Sequence, residues 1–218
     1  MAKHGKLDQL SDGELQTLLK KHDCPLGFHE VRARLMGNIA SPGMEVAPLQ
    51  ELNRIWGGAL PEFENEEEAK QLIGGVMTGL WNSLSKHQSR SNPFRMTRVK
   101  SGPATYEHLA KLSRFRREEI DAFIEGLFGD RDEQEFPEAA HRAIDNLGEI
   151  RATIASVHEF CACPPAPART ESLRETLKNL RNLAVIAETA INTIIQANKA
   201  ARAALLEVYS MEKPPTLH

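Results

Sequence analysis

The stretch TESLRETLKNLRNLAVIAETAINTIIQANKAARAALLEV, residues 170–208, decides the fold. Leu173, Leu177, Leu180, Ala184, Ala187, Ile191, Ile194, Asn198, Ala201, Leu205 and Val208 recur at alternating steps of four and three, and neither Gly nor Pro interrupts residues 168–213. That spacing puts one apolar seam on a long α-helix. Upstream, Pro137 opens a second helix whose Ala143, Leu147, Ile150, Ile154 and Val157 keep the same spacing, and the Pro-rich linker 161–169 separates the two. Two such helices joined by a short linker predict an antiparallel hairpin.

Lengths then set a constraint. About 24 and about 40 residues give rods of roughly 36 and 60 Å, so the last helix outruns its mate by some 24 Å at the end holding Ile194 to Tyr209. Ile191, Ile194, Asn198, Ala201, Leu205 and Val208 form the candidate association face. With Leu177 at heptad position a, Asn198 also falls at a, a placement that specifies register in coiled coils. Leu183, Ala190, Ala197 and Ala204 fall at g, where apolar residues suit a helix with two neighbours. These features favour a homodimer whose hairpins pair into four helices, and the alternative is an overhang packed on the chain's own N-terminal half.

The rest of the chain also reads as helix. Ser11 with Glu14 is a capping box, a helix carrying Phe28, Val31, Leu35 and Met36 is expected to stop at Gly37, and Pro48 opens a segment closed by Gly57-Gly58. Asn65 with Glu68 opens a helix to about residue 87, in which Gly74, Gly75 and Gly79 imply a close helix neighbour. Two further helices are expected at 104–112 and 114–128. Strand signals are absent, so the fold class is all-α: an N-terminal helical bundle over residues 1–130 and a C-terminal helical hairpin over 131–218.

The totals exclude several classes. The 218 residues carry a net charge of −3 with 41% apolar and 26% charged residues, ordinary for a globular chain and without general affinity for polyanions. No apolar run approaches the ~20 residues of a membrane span. The N-terminus lacks a signal-peptide core, and Cys24, Cys161 and Cys163 are too few for a disulfide framework, so a cytoplasmic setting is expected.

The stretches GFHEVRARLMGNIASPG, LQELNRIWGG and PEFENEEEAKQLIGGVMTGLWNSL, within residues 27–87, resemble the first half of the YecA/YgfB-like (UPF0149) family of bacterial proteins. AFIEGLFGD at 122–130, after Asn92-Pro93-Phe94, is similar to a later helix of that family. The resemblance implies an α-helical bacterial cytosolic protein without an established reaction, some members acting through partners. Certain members end in a zinc-binding Cys-rich tail. Cys161-Ala-Cys163 has no following Cys or His pair and runs into a long helix instead, a departure from that pattern.

Candidate chemistry is sparse. His158, Cys161 and Cys163 offer three soft ligands where structural zinc takes four, with His22 or Cys24 as the nearest supplements, so neither metal nor cofactor is expected. Nine basic residues against one acid, Glu107, lie in 86–117, and Arg90, Arg95, Arg98 and Lys100 are the candidate anion- or nucleic-acid-binding group. The plain alternative pairs that segment with the acids Glu62, Glu64, Glu66, Glu67 and Glu68, which also suit a helix N-terminus. His87 and His108 sit in no recognised catalytic motif. The expectation is a non-catalytic protein, a homodimer that binds another macromolecule, with a protein as the partner; nucleic-acid or anion binding is the alternative.

Overall fold

The computed structural model describes residues 10–43, 48–130, 134–163 and 170–211, and among these there is no strand. The elements are α1 (Asp12–Lys21), α2 (Phe28–Ala40), α3 (Pro48–Ile55), α4 (Glu66–Gly74), a π-helical segment Gly75–Trp81, the single turn α5 (Asn82–Ser85), α6 (Tyr106–Phe128), α7 (Glu138–Ala162) and α8 (Thr170–Met211). The all-α class and the C-terminal hairpin of α7 and α8 are as the sequence predicts. No helix among the described residues is long and apolar enough to cross a membrane.

Local chemistry explains the helix starts. The Ser11 hydroxyl accepts the Glu14 N–H while the Glu14 carboxylate accepts that of Ser11 at 2.8 Å. Asn65 accepts from the Glu68 N–H at 3.0 Å, and Thr105 from that of His108 at 3.3 Å. Each satisfies a backbone donor that the helix itself leaves open. Gly129, at φ 58°, lets the chain leave α6 in a backbone shape that side chains disfavour.

Several boundaries differ from expectation. Gly37 does not end α2, which continues to Ala40 because the glycine lies in the α2/α6 interface instead of at a cap. The expected pair 104–112 and 114–128 is one helix, with the Ser113 hydroxyl bonded back to the Leu109 carbonyl at 2.7 Å. The close approach expected around Gly74–Gly79 is present at Gly75, where an added β-carbon would stand 2.7 Å from Leu10 Cδ1 and 3.5 Å from Leu15 Cδ1, but not at Gly79, where it would meet nothing within 4 Å. That stretch is the π-helical segment. The linker 164–169 lies outside the described residues.

The core runs unbroken across the division expected near residue 130. Leu35, Phe123, Leu147, Leu180 and Ile194 belong to one buried cluster. At 42 residues and about 1.5 Å per residue, α8 is roughly 63 Å long. The first part of its overhang, to about residue 202, is covered, and by the same chain. Ile191, Ile194 and Asn198 are buried, and α8 packs on α2 as well as on α6 and α7. These three residues are therefore internal, the placement that the alternative reading anticipated. Asn198 sets an intrachain register: its amide donates to the Ala40 carbonyl at 2.8 Å, at the open C-terminus of α2. Arg202 adds bonds to the Ser41 carbonyl and to Gln88 Oε1. Ala201, just before the clamp, is half-buried, and Leu205 and Val208 beyond it are exposed.

Candidate functional site: a trough along the last helix

After α5 the chain makes one 3-10 turn at Lys86–Gln88, and Pro93 and Pro103 then keep the residues before them out of helical torsions, so the stretch up to α6 has no regular structure. This strap, residues 93–101, is held by side chains. Asn192 of α8 accepts the Phe94 N–H at 2.8 Å and donates to the Phe94 carbonyl at 2.9 Å, as a neighbouring strand would. Glu188 accepts the Met96 N–H at 2.9 Å, and Glu119 that of Thr97 at 2.7 Å. Arg116 donates to the Thr97 carbonyl and Arg32 to that of Arg95. Phe94 is fully buried, with the Arg32 guanidinium 4.6 Å above its ring. Burial draws the Arg32 pKa below its ordinary value, and Glu119 opposes that.

Strap and hairpin together enclose a trough. Its floor is α8, with Thr189, Thr193, Ala197 and Ala200. One wall is the strap side, with Arg90, Pro93 and Arg95; the other is the start of α7, with Ala139, Arg142 and Ala143. Two clefts of about 630 and 640 Å³ share Ala139, Thr189 and Thr193 and so form one depression. The Thr189 and Thr193 hydroxyls donate back along their own helix, which leaves the floor short and weakly polar.

The four candidate anion-binding residues are dispersed. Arg95 pairs with Glu188 at 2.8 Å. Arg90, Arg98 and Lys100 are exposed and form no ion pair among the described residues. Lys111, Arg114, Arg116 and Arg117 pair with Glu107, Glu118, Glu119 and Asp121. Five of the nine basic residues of the run are thus paired by α6 and α8, while Glu66 and Glu68 meet Lys70 and Lys21. Lys100 does join His108, Arg116 and Arg181 around a smaller cleft of about 180 Å³.

His158 bonds the Ala110 carbonyl at 3.0 Å, Cys161 is buried and Cys163 exposed, so the three do not converge. Burial pushes the Cys24 and Cys161 thiols up. Among the described residues, the one trio of potential ligands with all its atoms within 4.8 Å is His29, Glu30 and Glu118. There the His29 ring stacks on Phe115, Glu30 caps the Gly27 N–H at 2.7 Å and Glu118 takes Arg114. The positive end of α2 faces the same point, which disfavours a cation. His87 bonds the Asn92 carbonyl and packs on Phe94, a strap contact.

Sequence reasoning missed Glu188, Asn192 and Gln196. Their four-residue spacing marks a polar row flanking the apolar seam, a signal present in the chain. The chain was compared with protein-family models, curated proteins and solved structures, and none of the three comparisons returned a match.

Proposed function

We propose that this chain is a non-catalytic helical protein that works by association, with itself and through that assembly with another macromolecule. The observation that carries the reading is the bare end of α8, where Leu205, Leu206, Val208 and Tyr209 are 45–62% exposed on consecutive turns. A helix apolar around most of its circumference gains little in water and much by being covered. The resemblance to the YecA/YgfB-like family, with the bacterial cytosolic setting it implies, belongs to this proposal. The test is light scattering across a dilution series on the full chain and on a Leu205→Asp/Val208→Asp variant. A dimeric mass that falls to the monomer in the variant supports the reading; a monomeric mass at every concentration overturns it.

A second reading rests on the cleft lined by Lys100, His108, Arg116 and Arg181 together with one acid, Glu188, which is paired with Arg95; Arg116 is paired with Glu119, while Lys100 and Arg181 form no ion pair among the described residues. It would hold a small oxyanion. Phosphate should then raise Tm more than chloride at equal ionic strength, and Lys100→Ala/Arg181→Ala should remove the difference. Equal Tm in the two salts rejects it.

A further inference from the structure

We propose that the small cleft of Lys100, His108, Arg116 and Arg181 is the head of a longer site for a linear chain of phosphates, whose tail lies along the early turns of α8 on Lys178 and Arg174. This rests on the oxyanion reading of the cleft above and adds the ligand's class and the direction it takes.

The cleft supplies one end. The strap brings Lys100, α6 brings His108 and Arg116, and α8 brings Arg181. The His108 ring lies against Gly102, just past the strap, where a β-carbon would stand 2.5 Å from its Cε1. The volume, about 180 Å³, is the share of about six waters, which suits a single phosphate and little more. Arg181 then begins a row. At 100° per residue, Arg174 falls about 20° from Arg181 around α8 and Lys178 about 60°, with about 10.5 Å of rise across the three. All three are exposed, and neither they nor Lys100 form an ion pair among the described residues.

The acids on α6 and α8 leave this row uncompensated. Glu188 takes Arg95 and the Met96 N–H, Glu119 takes Arg116, and Glu107 takes Lys111. Glu171 and Glu175 share the early turns of α8 but stand about 60–120° round the helix from the two arginines. Neither forms an ion pair among the described residues. Like charges three and four residues apart repel on a helix, so the row weakens α8 unless an anion lies along it. A strand of nucleic acid would also call for aromatic faces to stack its bases, and no Phe, Tyr or Trp lines the cleft. A net charge of −3 gives no general attraction for long polyanions. Guanidinium forks match carboxylates as well as phosphates, but an acidic peptide carries its charges on separate side chains and meets so short a row sparsely.

Isothermal titration calorimetry on the full chain at low salt tests it, with inorganic phosphate, tripolyphosphate, metal-free adenosine triphosphate, hexaglutamate and a single-stranded oligonucleotide as probes. Tripolyphosphate is expected to bind about tenfold tighter than phosphate, the gain from two further surface ion pairs. Arg174→Ala/Lys178→Ala should erase most of that margin and leave phosphate binding unchanged, whereas Lys100→Ala/Arg181→Ala should weaken both. Circular dichroism confirms that each variant keeps its helix content. Adenosine triphosphate binding as tightly as tripolyphosphate assigns the site to any triphosphate, and weaker binding restricts it to the unsubstituted chain; both uphold the row. Equal affinity for phosphate and tripolyphosphate, or a margin that survives Arg174→Ala/Lys178→Ala, overturns the row and leaves the oxyanion cleft standing. No binding of either probe overturns both. Hexaglutamate or the oligonucleotide binding as tightly as tripolyphosphate overturns the phosphate chain as the ligand.

Discussion

Gly37 of α2 and Gly126 of α6 interlock at one helix crossing. A β-carbon on Gly37 would stand 2.0 Å from the Phe123 carbonyl oxygen, and one on Gly126 would stand 1.9 Å from that of Arg34. Each glycine therefore admits the backbone of the other helix, and α2 with α6 forms the most extensive helix pair of the molecule. This crossing places two of the three long helices against which α8 packs.

Helix propensity alone would make either glycine a weak point, to be improved by Ala at about 1 kcal/mol. Steric contact with backbone, which cannot swing aside, reverses the sign. Gly37→Ala and Gly126→Ala are each expected to destabilise by about 3 kcal/mol, lowering Tm by roughly 6–12 °C. Gly148→Ala in α7, where an added methyl meets nothing within 4 Å, should instead raise Tm. Thermal melts of the three variants decide between propensity and crossing; equal effects at all three sites would reject the crossing argument.

The helices were legible because apolar spacing and capping are local signals, and Ser11, Asn65 and Pro48 stand where such signals put helix starts. The overhang of α8 was legible as an excess of length, but not what covers it. Ile194 and Asn198 carry the same pattern whether they face α2 or another chain, since periodicity records that a face is buried and not against what. Gly37 was read as a stop because a glycine at a helix end and one at a helix crossing look alike in sequence. The strap escaped for a different reason. Its hydrogen bonds come from Asn192, Glu188 and Glu119, about 20 to 100 residues away, and no local pattern announces such a bond.

Asn192 is the strap's main fastening, since one amide satisfies both backbone groups of Phe94. Asn192→Ala would leave a half-buried N–H and C=O unpaired, at an expected cost of about 2–4 kcal/mol. Asn192→Asp keeps the acceptor, loses the donor and should fall between. Because Arg90, Arg95 and Arg98 lie on or beside the strap, trypsin should cut there first in the Ala variant while α6 and α8 remain protected. Unchanged cleavage order would show that Phe94 burial alone holds the segment.

Glu51 is fully buried and joins two arginines, accepting from Arg34 Nε at 2.6 Å and Arg54 Nη1 at 3.0 Å. Those arginines reach on to Glu125 and Asp130, tying α3 to both α2 and the end of α6. Removing the central acid leaves two guanidinium groups facing an apolar gap, so Glu51→Leu should destabilise by about 3 kcal/mol. Adding Arg34→Met should restore part of the loss, because the second change removes a largely buried cation that the first left with only the exposed Glu125 as partner. Denaturant midpoints for the single and double variants measure it; losses that simply add would contradict the linkage.

Acid should loosen the junction of α1 with α4 through Glu68. Its carboxylate meets Lys21 Nζ at 2.5 Å, accepts the Glu64 N–H at 2.8 Å and lies 3.6 Å from His22 Nε2. The Lys21 bond first, and the Glu64 N–H second, hold its pKa below the ordinary carboxylate value. A carboxyl that binds its proton more weakly folded than unfolded stabilises the fold above its ordinary pKa and surrenders that stability as pH falls through the folded one. Glu68→Gln should therefore melt below the unaltered chain at about pH 7, and the gap should shrink as pH falls below the ordinary carboxylate pKa and close once it passes the lowered folded pKa of Glu68, where both side chains are neutral. Lys21→Met should narrow the pH dependence similarly, since it removes the larger cause. A Tm gap for Glu68→Gln that stays constant from neutral to acid pH would mean the residue acts by packing alone, with its charge playing no part.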